Sequence, residues 1–134
     1  MKREILFRGK RADNGELVIS DSLMQVKGQN PRLWVEFDGW VEVIPETVGQ
    51  FTGLTDKNGK KIFEGDILKG CWKMIFEVYY DDCLLQFRAK TVDGFNKDID
   101  YYGYPHQIEV IGNIYNNPEL LEGKQHEQRT VRRI

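Results

Sequence analysis

Four turn dipeptides punctuate this chain: Asn14-Gly15, Asp38-Gly39, Asn58-Gly59 and, more weakly, Asp93-Gly94. A tight hairpin needs positive φ at its central positions, and Asn-Gly and Asp-Gly adopt that geometry with little steric cost. The runs between them are short and rich in Val, Ile, Phe, Trp and Tyr, and no long run shows helical periodicity. The expectation is an all-β chain with at most one short helical turn near the C-terminus. That turn is Pro118-Glu119-Leu120-Leu121, with Asn117 as its cap and Pro118 at the first position.

The turns imply registers. Asn14-Gly15 joins residues 4–10 to residues 16–24, and residues 25–32, with Gly28 and Pro31, read as an exposed loop. About a two-residue Asp38-Gly39 turn, Phe37 faces Trp40, Val35 faces Glu42 and Trp34 faces Val43. About Asp81-Asp82, Phe76 faces Phe87, Val78 faces Leu85 and Met74 faces Ala89 on one face. Glu77–Gln86 and Ile75–Arg88 fall on the other, and a one-residue slip would mix the two faces. Pro45 cannot donate to a ladder, so the strand 41–44 ends there. The predicted units are a β-meander over 1–45, a barrel half over 46–122 that shares a core with it, and a basic tail over 123–134 that frays.

At 134 residues and 40% apolar, the chain can pack one domain, or two small modules, without metal or disulfide support. A net charge of −2 gives no global attraction for nucleic acid or anionic membranes, so such binding would need a local basic patch. Nothing approaches the roughly 18 apolar residues of a spanning helix. The run Ile5-Leu6-Phe7 is too short for a signal-peptide core, so the chain is expected to stay where it is made. Cys71 and Cys83 are the only thiols; in the register above they lie far apart, which predicts reduced, partly buried side chains.

Two blocks are distinctive in their wording. The first runs Thr47-Val48-Gly49-Gln50-Phe51-Thr52-Gly53-Leu54-Thr55-Asp56-Lys57-Asn58-Gly59 and continues with Lys61-Ile62-Phe63-Glu64-Gly65-Asp66-Ile67-Leu68. The second is Glu109-Val110-Ile111-Gly112-Asn113-Ile114-Tyr115-Asn116-Asn117-Pro118-Glu119-Leu120-Leu121. With the opening Arg3-Glu4-Ile5-Leu6-Phe7-Arg8-Gly9-Lys10 they resemble the YopX family of phage and prophage proteins over nearly the whole chain. The resemblance implies an all-β fold with an N-terminal meander and a C-terminal SH3-like barrel, and an origin in a phage or an integrated prophage, with which the expected place is the bacterial host cytoplasm; it supplies no activity. The chain departs from the family pattern at Leu17-Val18-Ile19-Ser20, where a Trp-containing strand ending in Gly is expected, and in the tail 123–134.

No catalytic constellation stands out, and the expectation is a non-enzyme with no cofactor and no metal. Neither cysteine has a histidine within several residues to activate it. The acids of Glu64-Gly65-Asp66 share a face if extended, yet they lack the ligand count of a calcium or zinc site. The structural reading is a Gly65 bend with Asp66 bonding loop amides, in company with the Asn58-Gly59 turn. Two segments are candidate binding surfaces. The loop Tyr101-Tyr102-Gly103-Tyr104-Pro105-His106 offers rings for a peptide or bases, and the tail carries Lys124, Arg129, Arg132 and Arg133 against Glu127. A half-buried loop over the barrel and a solvated end are their plainer readings. The expected activity is that of a module binding a host or phage protein through the second half. The alternative is a nucleic-acid binder using Tyr101, Tyr102, Tyr104 and His106 with Arg129, Arg132 and Arg133. No membrane partner is expected, and a homo-oligomer is left open.

Overall fold

The structure is a computed structural model that describes residues 4–99 and 107–121. Its elements are strands β1 (Phe7–Lys10), β2 (Leu17–Ser20), β3 (Leu23–Met24), β4 (Arg32–Val35), β5 (Gly39–Glu42) and β6 (Gly49–Thr55). They continue with β7 (Lys61–Phe63), β8 (Asp66–Lys69), β9 (Ile75–Asp81), β10 (Gln86–Thr91), β11 (Asn96–Asp98) and β12 (Glu109–Asn113). The chain is all-β, as its turn chemistry predicts. A helical turn begins at Glu119, after Pro118, with Leu120 N–H donating to Asn117 O (3.1 Å). A three-residue 3-10 turn, Pro45–Thr47, adds to it, and Cys71–Lys73 forms a tight turn in which Trp72 and Lys73 hold positive φ.

Backbone contacts divide the chain into two units between Gly53 and Leu54. In the first, β1 pairs antiparallel with β2 and β6, and a second sheet runs β3-β4-β5. Leu33, Val41 and Val43 are buried there. Pro45 does end its strand and opens a 3-10 turn, which Thr47 ties back to β1: Lys10 N–H donates to Thr47 Oγ1 (2.9 Å). In the second unit a five-stranded sheet has the order β11-β10-β9-β8-β12. Its core is Ile62, Leu68, Phe76, Val78, Ala89, Ile99 and Ile108, with Met74, Phe87 and Val110 packed against it.

Two expected registers and the extent of one strand are corrected. The first hairpin turns over four residues, with Lys10 opposite Leu17 and Arg11 N–H donating to Glu16 O (2.9 Å). Its second strand stops at Ser20, whose hydroxyl accepts from Ser22 N–H (3.0 Å), so Leu23–Met24 pairs with β4 instead. In the β4–β5 hairpin Val35 faces Gly39, Trp34 faces Trp40 and Leu33 faces Val41. The loop is therefore Glu36-Phe37-Asp38, and the register sets buried Leu33 and Val41 together instead of opposing Val35 to Glu42.

The β9–β10 hairpin also shifts. Tyr80 faces Phe87, Val78 faces Ala89 and Phe76 faces Thr91 around the loop Asp82-Cys83-Leu84-Leu85. Asp81 builds that loop, its Oδ1 accepting from Cys83 N–H (2.9 Å) and Leu84 N–H (3.0 Å). The shift is an even number of residues, so Phe76, Val78 and Ala89 still share the buried face. Cys83 consequently lies in an exposed loop rather than partly buried; Cys71 is half-buried, and both thiols are free.

Candidate functional site

The sequence-selected residues fall into two groups. Tyr101, Tyr102, Tyr104, His106, Arg129, Arg132 and Arg133 lie outside the described residues. Asn58, Gly59, Glu64, Gly65 and Asp66 are described; Glu64 is half-buried, and the surroundings of the other four are those of chain folding. At the Asn58-Gly59 turn the anchor is Asp56, which sequence reading passed over. Its Oδ1 accepts from Asn58 N–H (2.9 Å) and Lys60 N–H (2.8 Å), and its Oδ2 accepts from Val110 N–H (2.9 Å). Burial pushes this carboxyl's pKa up, but those three amides outweigh it and hold the group below the ordinary carboxylate range.

Gly65 sits at φ +94°, where a Cβ would come within 2.9 Å of the Tyr115 ring. Its N–H donates to Val78 O (2.8 Å) and its carbonyl accepts from Ile114 N–H (2.9 Å), so the bend is gripped from both sides. Asp66 is fully buried and its Oδ2 accepts from Phe63 N–H (2.8 Å). Among the described residues no group of three or more His, Cys, Asp or Glu converges on one point. The closing block works in the same way. Asn113 Oδ1 accepts from Tyr115 N–H (3.1 Å) and Asn116 N–H (2.9 Å), and a Cβ at Gly112 would lie 2.7 Å from Asn117 Oδ1. The most recognisable residues of the chain thus fix its loops.

What sequence reading missed is on the surface. All three tryptophans are outside the cores: Trp34 is 48% exposed, Trp40 43% and Trp72 91%. In the corrected β4–β5 register Trp34 and Trp40 face each other, with ring centroids 5.5 Å apart in an edge-to-face arrangement at 75°. At the loop between them Phe37 is 97% exposed and holds φ +73°. The signal was present in the symmetric placement of Trp34 and Trp40 about residue 37, which a two-residue turn at Asp38-Gly39 obscures.

Beside the pair lies an open cavity of about 490 Å³, lined by Arg11, Ala12, Asp13, Asp38, Trp40, Val41 and Glu42. Arg11 braces it. Its Nε and Nη2 donate to the two oxygens of Asp13 (both 2.9 Å), and its Nη1 donates to Asp38 Oδ2 (2.8 Å). The hydrogen bonds from Arg11 hold the Asp13 carboxyl below its ordinary pKa, and those to Asp13 and Asp38 raise that of Arg11. Glu42 accepts from Asn30 Nδ2 (2.8 Å). The cavity therefore combines an indole wall, three carboxylates and one internally committed guanidinium, a surface suited to binding a group.

Comparison with known proteins adds the following. A family model described as YopX protein matches residues 6–122. None of the curated proteins matches the chain. Among solved structures, the crystal structure of protein EF1440 from Enterococcus faecalis is similar, with 26% sequence identity and a TM-score of 0.52. That similarity covers 87% of this chain and 97% of the other.

Proposed function

This chain belongs to the YopX protein family, and we propose that it acts as a non-enzymatic binding module for a host or phage protein in the bacterial cytoplasm. The observation that carries this reading is the position of all three tryptophans on the surface. Exposing indoles forgoes the burial energy that a small domain otherwise collects, roughly 1.5–3 kcal/mol for each large apolar side chain. Trp is also the residue most enriched among those that dominate protein interfaces. A phage or prophage origin and an SH3-like second half, both implied by the family resemblance, fit an accessory protein that works by docking.

The partner is a protein rather than a nucleic acid because the Trp34–Trp40 surface is flanked by Asp13, Asp38 and Glu42, which repel phosphates. The test is affinity capture from host lysate with the parent, with Trp34→Ala/Trp40→Ala and with Trp72→Ala. The expected result is one recurrent partner that is lost with one of the two variants. Capture indifferent to all three tryptophans would remove the tryptophan surface as the docking site, and a salt-sensitive complex with single-stranded DNA that the tail residues Arg129, Arg132 and Arg133 control would favour the nucleic-acid reading.

A further inference from the structure

We propose that the cavity beside Trp40 is the seat of an arginine side chain presented by a peptide segment of the partner protein. This rests on the binding-module reading and names the chemistry of what is bound. The cavity lining holds three carboxylates, Asp13, Asp38 and Glu42, against a single guanidinium, Arg11, so it has room for further positive charge. Arg11 spends Nε and Nη2 on Asp13 and Nη1 on Asp38. Asp38 uses only Oδ2 in that contact, and among the described residues its Oδ1 has no hydrogen-bond partner. That oxygen is an acceptor at the cavity lining, half of the fork that a guanidinium grips.

The aromatic wall selects the same group. Trp34 and Trp40 meet edge to face, and both residues remain more than two-fifths exposed. A guanidinium stacks flat on an indole while keeping its in-plane N–H groups directed at carboxylates, which an ammonium cannot do. Indole beside carboxylate is therefore complementary to arginine ahead of lysine, and to either ahead of an anion.

The indole N–H resonances of Trp34, Trp40 and Trp72 provide the readout in a heteronuclear NMR titration of the full chain. The probes are acetyl-Gly-Arg-Gly-Arg-Gly-amide, its citrulline counterpart, which keeps the shape and loses the charge, and a thymidine oligonucleotide. The arginine peptide is expected to move the Trp40 resonance saturably and to leave Trp72 unmoved. Its binding should be about tenfold tighter than that of the citrulline peptide and should weaken as salt is raised. Asp38→Asn and Glu42→Gln should each weaken it severalfold. Trp40→Leu, which keeps apolar bulk in the strand and is followed at the resonance of the facing Trp34, should weaken it at least as much in a protein whose spectrum is otherwise preserved.

Equal binding of both peptides, parent-like binding by both carboxylate variants, no movement of Trp40, or movement only with the oligonucleotide would each overturn the assignment. The two readings fail separately. Lysate capture that depends on Trp34 and Trp40, with no response to the arginine peptide, would leave the binding module standing and remove the cation.

Discussion

At the scale of single residues, the acids and glycines that stand out in the sequence serve the backbone. Gly65 is the clearest case: φ +94° disfavours any side chain, and the Tyr115 ring occupies the place of a Cβ. Gly65→Val should lower stability by about 1–3 kcal/mol in chemical denaturation. Asp66→Asn should cost less, since an amide oxygen still accepts from Phe63 N–H, and neither calcium nor magnesium should raise the parent's thermal midpoint. A midpoint raised by either ion and levelled by Asp66→Asn would restore the cation-site reading. Asp56 makes a sharper prediction. Asp56→Asn would set an NH2 group against the N–H of Val110 or of the Asn58 and Lys60 pair, at a cost of about 1–3 kcal/mol near neutral pH. Because the folded carboxyl lies below its unfolded value, its stabilisation is present above about pH 4 and is lost as pH falls through the folded pKa. The gap between parent and Asp56→Asn melting midpoints should therefore narrow on acidification.

At the scale of elements, strand positions and hairpin partners were legible and the registers were not. The turn dipeptides marked where the chain reverses, since Gly15, Gly39, Gly59 and Gly94 all hold positive φ. Loop length is set by other forces. Asp81 Oδ1 recruits two amides and lengthens the β9–β10 loop, while burial of Leu33 against Val41 overrides the two-residue turn at Asp38-Gly39. Neither effect can be read from a dipeptide. The cavity was hidden for a related reason: Arg11 and Asp38 are 27 positions apart and meet only after both hairpins form. The β4–β5 loop leaves Phe37 strained and almost wholly in water. Asn tolerates positive φ better than Phe, so Phe37→Asn should stabilise the hairpin by about 0.5–1 kcal/mol, read as a higher thermal midpoint. A lower midpoint would show that the ring packs in a way its exposure does not reveal.

At the scale of the whole molecule, stability and surface chemistry are carried by different aromatic residues. Phe63 and Phe76 are fully buried while the tryptophans are not, so Phe76→Ala should cost about 3–5 kcal/mol and Trp72→Ala no more than about 0.5 kcal/mol. A comparable loss for both would mean that Trp72 supports the fold. The division also decides how the protein looks to a spectroscopist. Indole emission shifts with the polarity around the ring, and here every indole is already in contact with water in the native state. Native emission should thus lie close to that of the unfolded chain. A denaturation curve followed by tryptophan fluorescence should be nearly flat, while circular dichroism records the full transition. The same rings, dark to unfolding, would brighten or shift to the blue when a partner covers them.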